Sequence, residues 1–570
     1  CVVHYQIDKN EIKRQLTYRV MKSPNFLNDI FYFILYSLKD LFAKMPIAKL
    51  HVNCNFEDIK DETVIKKIKS ILDRVAQVVN TTNAIIKNKE KDIFNKNKSV
   101  AFFELPKKAI KKATLKEDLG GNWFEDFFVK NCSEIQSYFF DFPNHIVFNS
   151  QERRWENTGF VFRFEDLYKL IEKYSIKKIV YQNFYLFEHF LYTQHIFLPG
   201  ILDFLGVENI GFDYDGYEYG FIELEKVMFH TEKNIRFNPY PTSENYWDKK
   251  YLLKNIQYTA LGAHHGFLDK KFQLNDDYDL VILSNSRLDA VKGQLSSILF
   301  VLSGIDENRV FKDFQIWGWS MIEIIKNHLN ITDGEKLLFS GKIFGLLYHI
   351  GQFLKYEVIE SLKTVRDIKI YGDSNWGILF PEYYQNKFLN KIEIQNLYRN
   401  NDKLLLCFNH GVNYLEASGP VVDSISKKIP FFNFPLVVKS ENFKGFEEIE
   451  YNNIEELNMK INAAGSIYKK LSLKNSIEEY RKIMQSSEKE ISDYVFNKAE
   501  FPSDGGIYYK DYLEHEKLLK DEINVYISQN KAFLQKCIDI LLANQQHNVN
   551  INQTRFYERK YLKNILKDIN

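Results

Sequence analysis

Apolar and polar positions follow a regular pattern from about residue 160, where short apolar runs are separated by amphipathic stretches. Residues 164–174 have the spacing of an amphipathic helix, and residues 178–181 form a short apolar run typical of a buried strand. A second helix is predicted over residues 187–205 and a second strand over residues 208–212. Helices that alternate with strands in this way favour a parallel sheet.

A second series of the same kind begins at residue 279. Its apolar runs predict strands at residues 279–283, 314–317, 368–371, 404–408 and 429–432. Two such series are explained most economically by two doubly wound domains, with residues 251–277 between them. After residue 465 the spacing is helical, most clearly over residues 512–542.

These patterns predict an α/β protein with two Rossmann-like doubly wound domains, an additional N-terminal region and a helical C-terminal tail. The first 150 residues are rich in lysine and are biased toward helical spacing. A chain of 570 residues also exceeds what one hydrophobic core usually holds. The predicted division has four parts, residues 1–150, 151–276, 277–465 and 466–570.

The composition excludes several classes of protein. Lys and Arg total 76 and Asp and Glu total 75, a net charge of +1, whereas a dedicated nucleic-acid-binding protein needs a broad positive surface. The five cysteines lie far apart without a CxxC pair, which argues against a disulfide scaffold and a zinc cluster and fits a reducing compartment. The longest early apolar run, residues 30–38, is shorter than the ~20 residues that span a bilayer. We expect neither a nucleic-acid partner nor a transmembrane helix.

Two cations follow the strand predicted at residues 279–283. Ligands of open parallel sheets bind at the carboxyl ends of the strands, so this loop is a candidate site. Arg287 and Lys292 lie five residues apart near a predicted helix start, where the helix dipole and the free N–H groups favour anions. The pair suits a diphosphate, although an Arg and a Lys in a loop also fit ordinary solvated charge.

Glycines and polar residues follow the later strands as well. Gly372 begins a loop in which the backbone either turns or passes close to a ligand. His410 lies in the loop after the strand at residues 404–408. Asp423 lies just after Pro420, at the start of a predicted helix. Its carboxylate either accepts hydrogen bonds from vicinal hydroxyls, such as those of a ribose, or favours the helix dipole.

The order of these segments resembles the C-terminal half of GT-B fold glycosyltransferases, in particular the spore-maturation-protein-like bacterial group. Residues 286–293 resemble the R-L-x-x-x-K-G segment by which GT-B enzymes hold the diphosphate of a nucleotide sugar. Further segments are similar in the same order, at residues 368–376, 394–409, 421–432 and 443–457. The resemblance covers about residues 280 to 465.

The resemblance implies a metal-independent enzyme whose two Rossmann-like domains face a cleft, the GT-B arrangement. No bound cofactor is implied, since the nucleotide-sugar donor is a co-substrate. The implied donor site contains Arg287, Lys292, Gly372, His410 and Asp423. The implied acceptor is a glycan, a lipid-linked glycan or a protein, in bacterial surface-glycan assembly. Such assembly takes place in the cytoplasm or peripherally at the inner face of the membrane.

A catalytic base is expected on the first domain, across the cleft from the donor. Asp213 and Asp215 follow the predicted strand at residues 208–212, in a loop similar to an acidic loop of the same group. His264 lies in a loop that resembles the segment closing the first domain. Asp215 is favoured, because a carboxylate is ionised at neutral pH whereas a histidine must be kept neutral. An enzyme that retains the anomeric configuration needs no such base, and the sequence does not decide between the two.

Departures from the resemblance leave other functions open. Residues 424–428 replace a stretch of small residues, and no Arg precedes Asp423. These departures motivate a second hypothesis, a non-catalytic carbohydrate- or partner-binding protein on a degenerate GT-B scaffold. A nucleotide-sugar epimerase of the same fold is a third hypothesis.

The lysine clusters at residues 66–69 and 107–112 are either a solvated face or a patch that approaches anionic lipid.

Overall fold

The computed structural model of the chain has a mixed α/β architecture with parallel sheets and many helices. The α/β class predicted from the sequence is confirmed at this level. The structure describes residues 2–6, 49–53, 62–94, 96, 98–103, 137–141, 146–149, 154–157, 163–182, 190, 193–213, 233–236, 256–258, 267–328, 333–362, 367–408, 419–437, 439, 445–496, 500, 507–542 and 549–567.

The strands before residue 260 lie in two sheets. Their bounds are β1 Val2–Gln6, β2 Lys49–Asn53, β3 Ser99–Phe103, β4 Ser137–Asp141, β5 Ile146–Asn149, β6 Arg154–Asn157, β7 Ile176–Gln182, β8 Glu208–Asp213, β9 Lys233–Arg236 and β10 Ile256–Tyr258. β1 pairs with β2 in parallel, and the other eight form one sheet in the order β10-β9-β8-β7-β3-β4-β5-β6. The pairs from β10 to β4 are parallel, and β5 and β6 extend the sheet in antiparallel fashion.

The region over residues 1–150, predicted to be helix-rich, contributes strands to this sheet. β3, β4 and β5 come from it and lie in the same sheet as β7 and β8, so the boundary predicted at residue 150 falls inside the sheet. These strands are short and rich in aromatic and β-branched residues, which suit a pleated surface. The lysine-rich composition around them hides this pattern. The division into four parts as a whole stays a prediction.

Helices α1 (Glu62–Lys87), α2 (Phe164–Lys173) and α3 (Leu198–Phe204) accompany the larger sheet. The helix predicted at residues 164–174 is confirmed as α2, and the two predicted strands are confirmed as β7 and β8. The single helix predicted over residues 187–205 is wrong, because His195 has a φ of 54° and α3 begins only at Leu198. A residue in the left-handed region interrupts a right-handed helix.

Four parallel strands form the second sheet, β11 (Asp279–Leu283), β12 (Ile368–Tyr371), β13 (Lys403–Cys407) and β14 (Phe431–Asn433). They confirm the strands predicted in these four places. Their order is β12-β11-β13-β14. The chain passes from β11 to β12 on one side of it and then crosses to β13 on the other side. The strand order therefore reverses beside β11. In a parallel sheet such a reversal opens a crevice at the carboxyl ends of the strands.

Helices make up most of the remaining second half. Their bounds are α4 Leu288–Ser303, α5 Val310–His328, α6 Asp333–Ser361, α7 Trp376–Leu379, α8 Lys391–Arg399, α9 Gly419–Lys427, α10 Ile454–Asn462, α11 Ala464–Ile467, α12 Leu471–Val495, α13 Ile507–Gln529, α14 Lys531–Leu542 and α15 Lys560–Lys567. Short 3-10 turns cover Glu307–Arg309, Glu447–Ile449 and Ile551–Gln553. The helical stretch predicted over residues 512–542 is divided at Asn530 into α13 and α14.

The strand predicted at residues 314–317 is wrong, because these residues lie within helix α5. All four of their side chains are buried, so the helix has no polar face in this stretch. A helix that is buried on all sides produces the same continuous apolar run as a buried strand. The one polar member, Gln315, donates from Nε2 to Phe311 O at 2.7 Å and to Pro435 O at 3.1 Å.

Helix α12 contacts the first sheet as well as the second half of the chain. The Nζ of the buried Lys178, in β7, donates to Tyr494 O at 2.7 Å and lies 3.4 Å from a Glu208 carboxylate oxygen. The same ammonium group lies 4.2 Å from the centroid of the Tyr494 ring. Helix α12, in the C-terminal part of the chain, therefore packs against the first sheet.

Candidate functional site

The loop after β11 is joined to the loop after β12 by hydrogen bonds. Ser286 donates from its backbone N to Asp373 Oδ2 at 2.5 Å and from its hydroxyl to Asp373 Oδ1 at 2.6 Å. Asp373 Oδ1 also accepts from Asn375 N at 3.1 Å. Because Ser286 is fully buried, the carboxylate supplies partners that water does not. The two loops form one connected wall of the crevice beside β11.

Gly372 lies where the end of β12 passes against this wall. A Cβ atom at position 372 would lie 2.1 Å from the carbonyl oxygen of Ser284 and 2.9 Å from Nε1 of Trp376. The Trp376 indole is buried and donates from Nε1 to the same Ser284 oxygen at 2.7 Å. The structure therefore gives Gly372 a packing role, and the predicted contact between Gly372 and a donor stays a prediction.

Arg287 ends the loop and begins helix α4 in an unusual conformation. Its φ of 55° and ψ of 31° lie in the left-handed region, which residues other than glycine seldom adopt, and such conformations concentrate at functional sites. The Arg287 side chain is exposed, and Lys292 is half-buried further along α4. The predicted pair therefore lies where the N-terminus of a helix meets the carboxyl end of β11.

Helix α6 supplies polar residues that sequence reasoning missed. Nζ of Lys355 donates to Ser284 Oγ and to Gln352 Oε1, both at 2.7 Å, and the hydroxyl of Tyr356 donates to Ser286 O at 2.6 Å. The same Nζ lies 5.5 Å from the centroid of the Phe408 ring, which follows β13. Lys355 therefore reaches from α6 to the point where the strand order reverses.

A signal for this helix face is present in the sequence. His349, Gln352 and Lys355 recur at a spacing of three within the mostly apolar stretch of residues 343–362. Residues with this spacing share one face of a helix. Polar side chains repeated on one face of a buried helix indicate a polar partner, and here the partner is the loop after β11.

Burial and nearby charges shift the pKa values of three side chains beside the loop after β11. Burial, and next the charge of the nearby Arg287, lower the pKa of Lys355 to about 7, while Asp373 opposes both effects. Burial, and then the charge of Arg287, also lower the pKa of His349. Burial raises the pKa of Tyr356 well above its usual range, so that its hydroxyl remains a donor. Burial and the charge of Arg287 thus make both basic groups less easily protonated, and an anion bound at this end of the sheet would favour their charged forms.

Replacement of Asp373 by Asn is expected to lower the free energy of unfolding by about 2 kcal/mol, since hydrogen bonds to a charged group contribute about 1.5–3 kcal/mol. The Asn amide keeps one acceptor, but its NH₂ group would face one of the two Ser286 donors. Urea unfolding measures the change. Asp289→Asn, which alters an exposed carboxylate in the first turn of α4, is the matched control, with an expected change below about 1 kcal/mol. Equal losses in the two variants would contradict the bridging role of Asp373.

Asp423 has a structural partner in the fold. It lies in α9, its side chain is largely buried, and one of its oxygens lies 3.7 Å from the Nζ of the buried Lys427. Removing one member of a buried ion pair leaves the other charge uncompensated, so this pair contributes to the packing of α9. The predicted contact between Asp423 and the hydroxyls of a donor stays a prediction.

The candidate bases are not brought together with the crevice by the described residues. Asp213 is the last residue of β8 and pairs in register with Arg236 of β9. Asp215, His264 and the donor-site candidate His410 lie outside the described residues. Of the lysine clusters, Lys66 and Lys69 are exposed on α1, and residues 107–112 lie outside the described residues. The base assignment stays a prediction.

A cavity of about 800 Å³ lies between helices α1 and α2. Its polar lining includes Asn88, Lys89, Tyr168 and Gln194, and the Lys89 ammonium lies 3.5 Å from the centroid of the Tyr168 ring. Among the described residues that line it, none belongs to the predicted donor site or to the candidate bases.

The described ranges contain neither a metal-binding cluster nor a single helix able to span a membrane. These ranges hold no group of three or more His, Cys, Asp or Glu residues placed to bind a metal ion. They also hold no single helix long and apolar enough to cross a membrane, although the bent pair Leu288–Ser303 and Glu307–Ile325 passes that test by length and composition.

No family model matches the chain, and no curated protein matches it. The resemblance to the spore-maturation-protein-like group therefore stays a prediction. Among solved structures, the chain is similar to the crystal structure of a glycosyltransferase from Rickettsia africae ESF-5, with a TM-score of 0.29 and 10% sequence identity. The match covers 71% of this chain and 100% of the other. This likeness is too distant to assign an activity to the chain.

Proposed function

We propose that the chain is a GT-B glycosyltransferase that moves a sugar from a nucleotide-activated donor to a hydroxyl group of an acceptor. The proposal is carried by the crevice beside β11, where Arg287 begins helix α4 and the buried Lys355 lies behind Ser284. In open α/β proteins, ligands bind in the crevice at a reversal of strand order, and helix N-termini there favour phosphate groups. A nucleoside diphosphate group suits both features.

In this proposal the second sheet holds the donor. The exposed guanidinium of Arg287 contacts the diphosphate, and Lys292 adds charge further along the helix. His410 and Asp423 complete the donor site, with Asp423 toward the ribose. Fixed cations stabilise the negative charge that develops on the leaving diphosphate, so the proposed reaction proceeds without a metal ion.

The acceptor is proposed to approach from the side of the first sheet. Asp215 is the proposed base, with Asp213 and His264 as alternatives, and the acceptor is a glycan, a lipid-linked glycan or a protein. We place the reaction in bacterial surface-glycan assembly, in the cytoplasm or at the inner face of the membrane. The anomeric configuration of the product, determined by NMR, tests the base: a retained configuration would remove it from the mechanism.

Replacement of Arg287 by Asn is expected to weaken donor binding about ten- to a hundredfold, because a charge-assisted contact contributes about 1.5–3 kcal/mol. Asn is chosen because it tolerates the left-handed conformation of this position, whereas Ala at the same position adds backbone strain. Calorimetric titration with nucleotide sugars measures the affinity. Arg309→Ala, which alters an exposed arginine paired with Asp313 at 3.3 Å, is the control and should leave the affinity unchanged. An unchanged affinity in Arg287→Asn would remove this contact from the proposed site.

A second candidate is a carbohydrate- or partner-binding protein without catalytic activity, on a degenerate GT-B scaffold. It is favoured by one observation, the ion pair that holds the Asp423 carboxylate against Lys427. Incubation with a panel of nucleotide sugars separates the two candidates. A glycosyltransferase releases the nucleotide and transfers the sugar to an acceptor, whereas the scaffold releases none.

A further inference from the structure

Lys355 is a buried ammonium group with uncharged hydrogen-bond partners. Its side chain is 5% exposed, and its Nζ donates to the hydroxyl of Ser284 and the amide oxygen of Gln352. Within the part of the chain that the structure describes, no carboxylate lies at ion-pair distance from this Nζ. Burying a charge without a partner is unfavourable, and a base in this position tends to lose its proton instead.

The charged and titratable groups that face Lys355 come from three elements. Arg287, in the loop after β11, repels it, and Asp373, after β12, attracts it. His349 lies on α6 itself, and its Nδ1 is buried without a hydrogen-bond partner among the described residues. Both oxygens of Asp373 already accept hydrogen bonds from Ser286. The Asp373 carboxylate is therefore already engaged, and the second carboxylate nearby, Asp289 in the first turn of α4, is exposed to solvent.

We propose that Lys355 compensates the phosphate charge of a bound nucleoside diphosphate through the Ser284 hydroxyl, and takes up a proton when that ligand binds. This inference rests on the proposed function, since it names the ligand of the same crevice. It also assigns a role to helix α6, which lies between the similar segments at residues 286–293 and 368–376 and belongs to neither.

The Ser284 hydroxyl is the link between the lysine and the crevice. Ser284 is half-buried, and its Oγ accepts from Lys355 at 2.7 Å while it donates to Asn285 O at 3.2 Å. A hydrogen bond of 3.2 Å between oxygen atoms is long, so the hydroxyl can turn and donate to a phosphate oxygen instead. Lys355 is thus a positioning residue that acts through Ser284.

The direction of the proton transfer follows from the burial of Lys355. Burial lowers its pKa to about 7, so the free protein loses this proton as the pH rises above that value. A diphosphate brings negative charge close to the amine and raises the pKa again. Above neutral pH the complex therefore holds a proton that the free protein lacks. Binding takes up that proton, and affinity declines as the pH rises.

Calorimetric titration of the full chain tests the proposal. The probes are UDP, GDP and ADP, with inorganic pyrophosphate as a probe without a nucleoside. Titrations are run at about pH 8 in two buffers of different ionisation enthalpy, since the terminal phosphate of a nucleotide, with a second pKa of about 6, is ionised there. Pyrophosphate still carries a proton at this pH, so its uptake is taken as the difference between the wild-type and Lys355→Met chains. The wild-type chain is expected to take up close to one proton per bound ligand.

Three variants locate the proton. Lys355→Met should abolish the uptake and weaken binding about tenfold at about pH 6, where the wild-type lysine is charged. Ser284→Ala keeps the lysine and should weaken binding by less. His349→Gln removes the other titratable group of α6 and should leave the uptake in place. Lys342→Met, on the same helix, is the matched control and should behave as the wild-type chain does.

The outcomes separate this inference from the proposed function. Nucleotide binding with the same affinity and proton uptake in Lys355→Met overturns the role of Lys355 and leaves the proposed function standing. Proton uptake that disappears in His349→Gln, and not in Lys355→Met, also overturns the role of Lys355. Binding of pyrophosphate with Lys355-dependent uptake, but of no nucleotide, supports a phosphate site and overturns the proposed function. A wild-type chain that binds none of the four probes overturns both.

Discussion

Replacement of Gly372 by Ala is expected to lower the free energy of unfolding by at least about 3 kcal/mol, because the added methyl group overlaps backbone and not a movable side-chain tip. The Cβ atom would lie 2.1 Å from the Ser284 carbonyl oxygen, which already accepts the hydrogen bond of Trp376. Relief of this overlap requires separation of the ends of β11 and β12. The same separation would move Ser284 and the loop that carries Arg287, so donor binding should be lost together with stability.

The matched control for this substitution is Gly293→Ala. Gly293 lies in helix α4, and a Cβ atom there meets no atom within 4 Å. Ala is favoured over Gly inside a helix by about 0.5–1 kcal/mol, so this variant should be slightly more stable than the wild-type chain. Urea unfolding followed by circular dichroism measures both variants. A Gly372→Ala protein as stable as Gly293→Ala would show that the two loops are not packed as described.

The strands of the second sheet were predictable from sequence because each is a short apolar run buried on both faces. β11, with the sequence Asp-Leu-Val-Ile-Leu, is typical of a parallel sheet. The same rule failed at residues 314–317, because helix α5 is buried on all sides there. Periodicity alone does not separate these two environments, and the difference depends on what packs around each segment.

The candidate site was predictable only where its residues are local in sequence. Arg287 and Gly372 were predicted because loops after parallel strands are expected to carry function, and their contacts with a donor stay predictions. Lys355 was missed because its contact with Ser284 joins residues 71 positions apart, and no local pattern specifies that pairing. Gly372 was predicted either to turn the chain or to pass close to a ligand, and the structure shows a close neighbour in the protein itself, the Ser284 carbonyl group.

Replacement of Lys355 by Met is expected to stabilise the protein at neutral and acidic pH. Burial lowers the pKa of Lys355 from its ordinary value of 10.5 to about 7. Between these two values the unfolded chain binds a proton that the folded chain does not, so the wild-type protein loses stability as the pH falls from about 10 to about 7. Below about pH 7 both states are protonated and the loss stays constant, at about 4–5 kcal/mol for a shift of this size.

Methionine removes this penalty and keeps the length of the buried side chain. The variant also loses the hydrogen bonds to Ser284 and Gln352, which contribute about 0.5–1.5 kcal/mol each. We therefore expect a net gain of about 3 kcal/mol at about pH 6 that decreases toward zero or below by about pH 10. Groups other than Lys355 titrate in both proteins and largely cancel in the difference between them.

Urea unfolding of the wild-type and Lys355→Met chains at a series of pH values measures this difference. Lys342→Met removes a half-buried lysine from the same helix and should change stability by less than about 0.5 kcal/mol. A Lys355→Met protein less stable than the wild type at neutral pH, or a gain that does not vary with pH, would contradict the burial of an uncompensated ammonium group. A confirmed gain would mean that the chain retains a destabilising lysine beside its crevice. Natural proteins keep such residues mainly where function requires them, here to meet the charge of an anionic ligand.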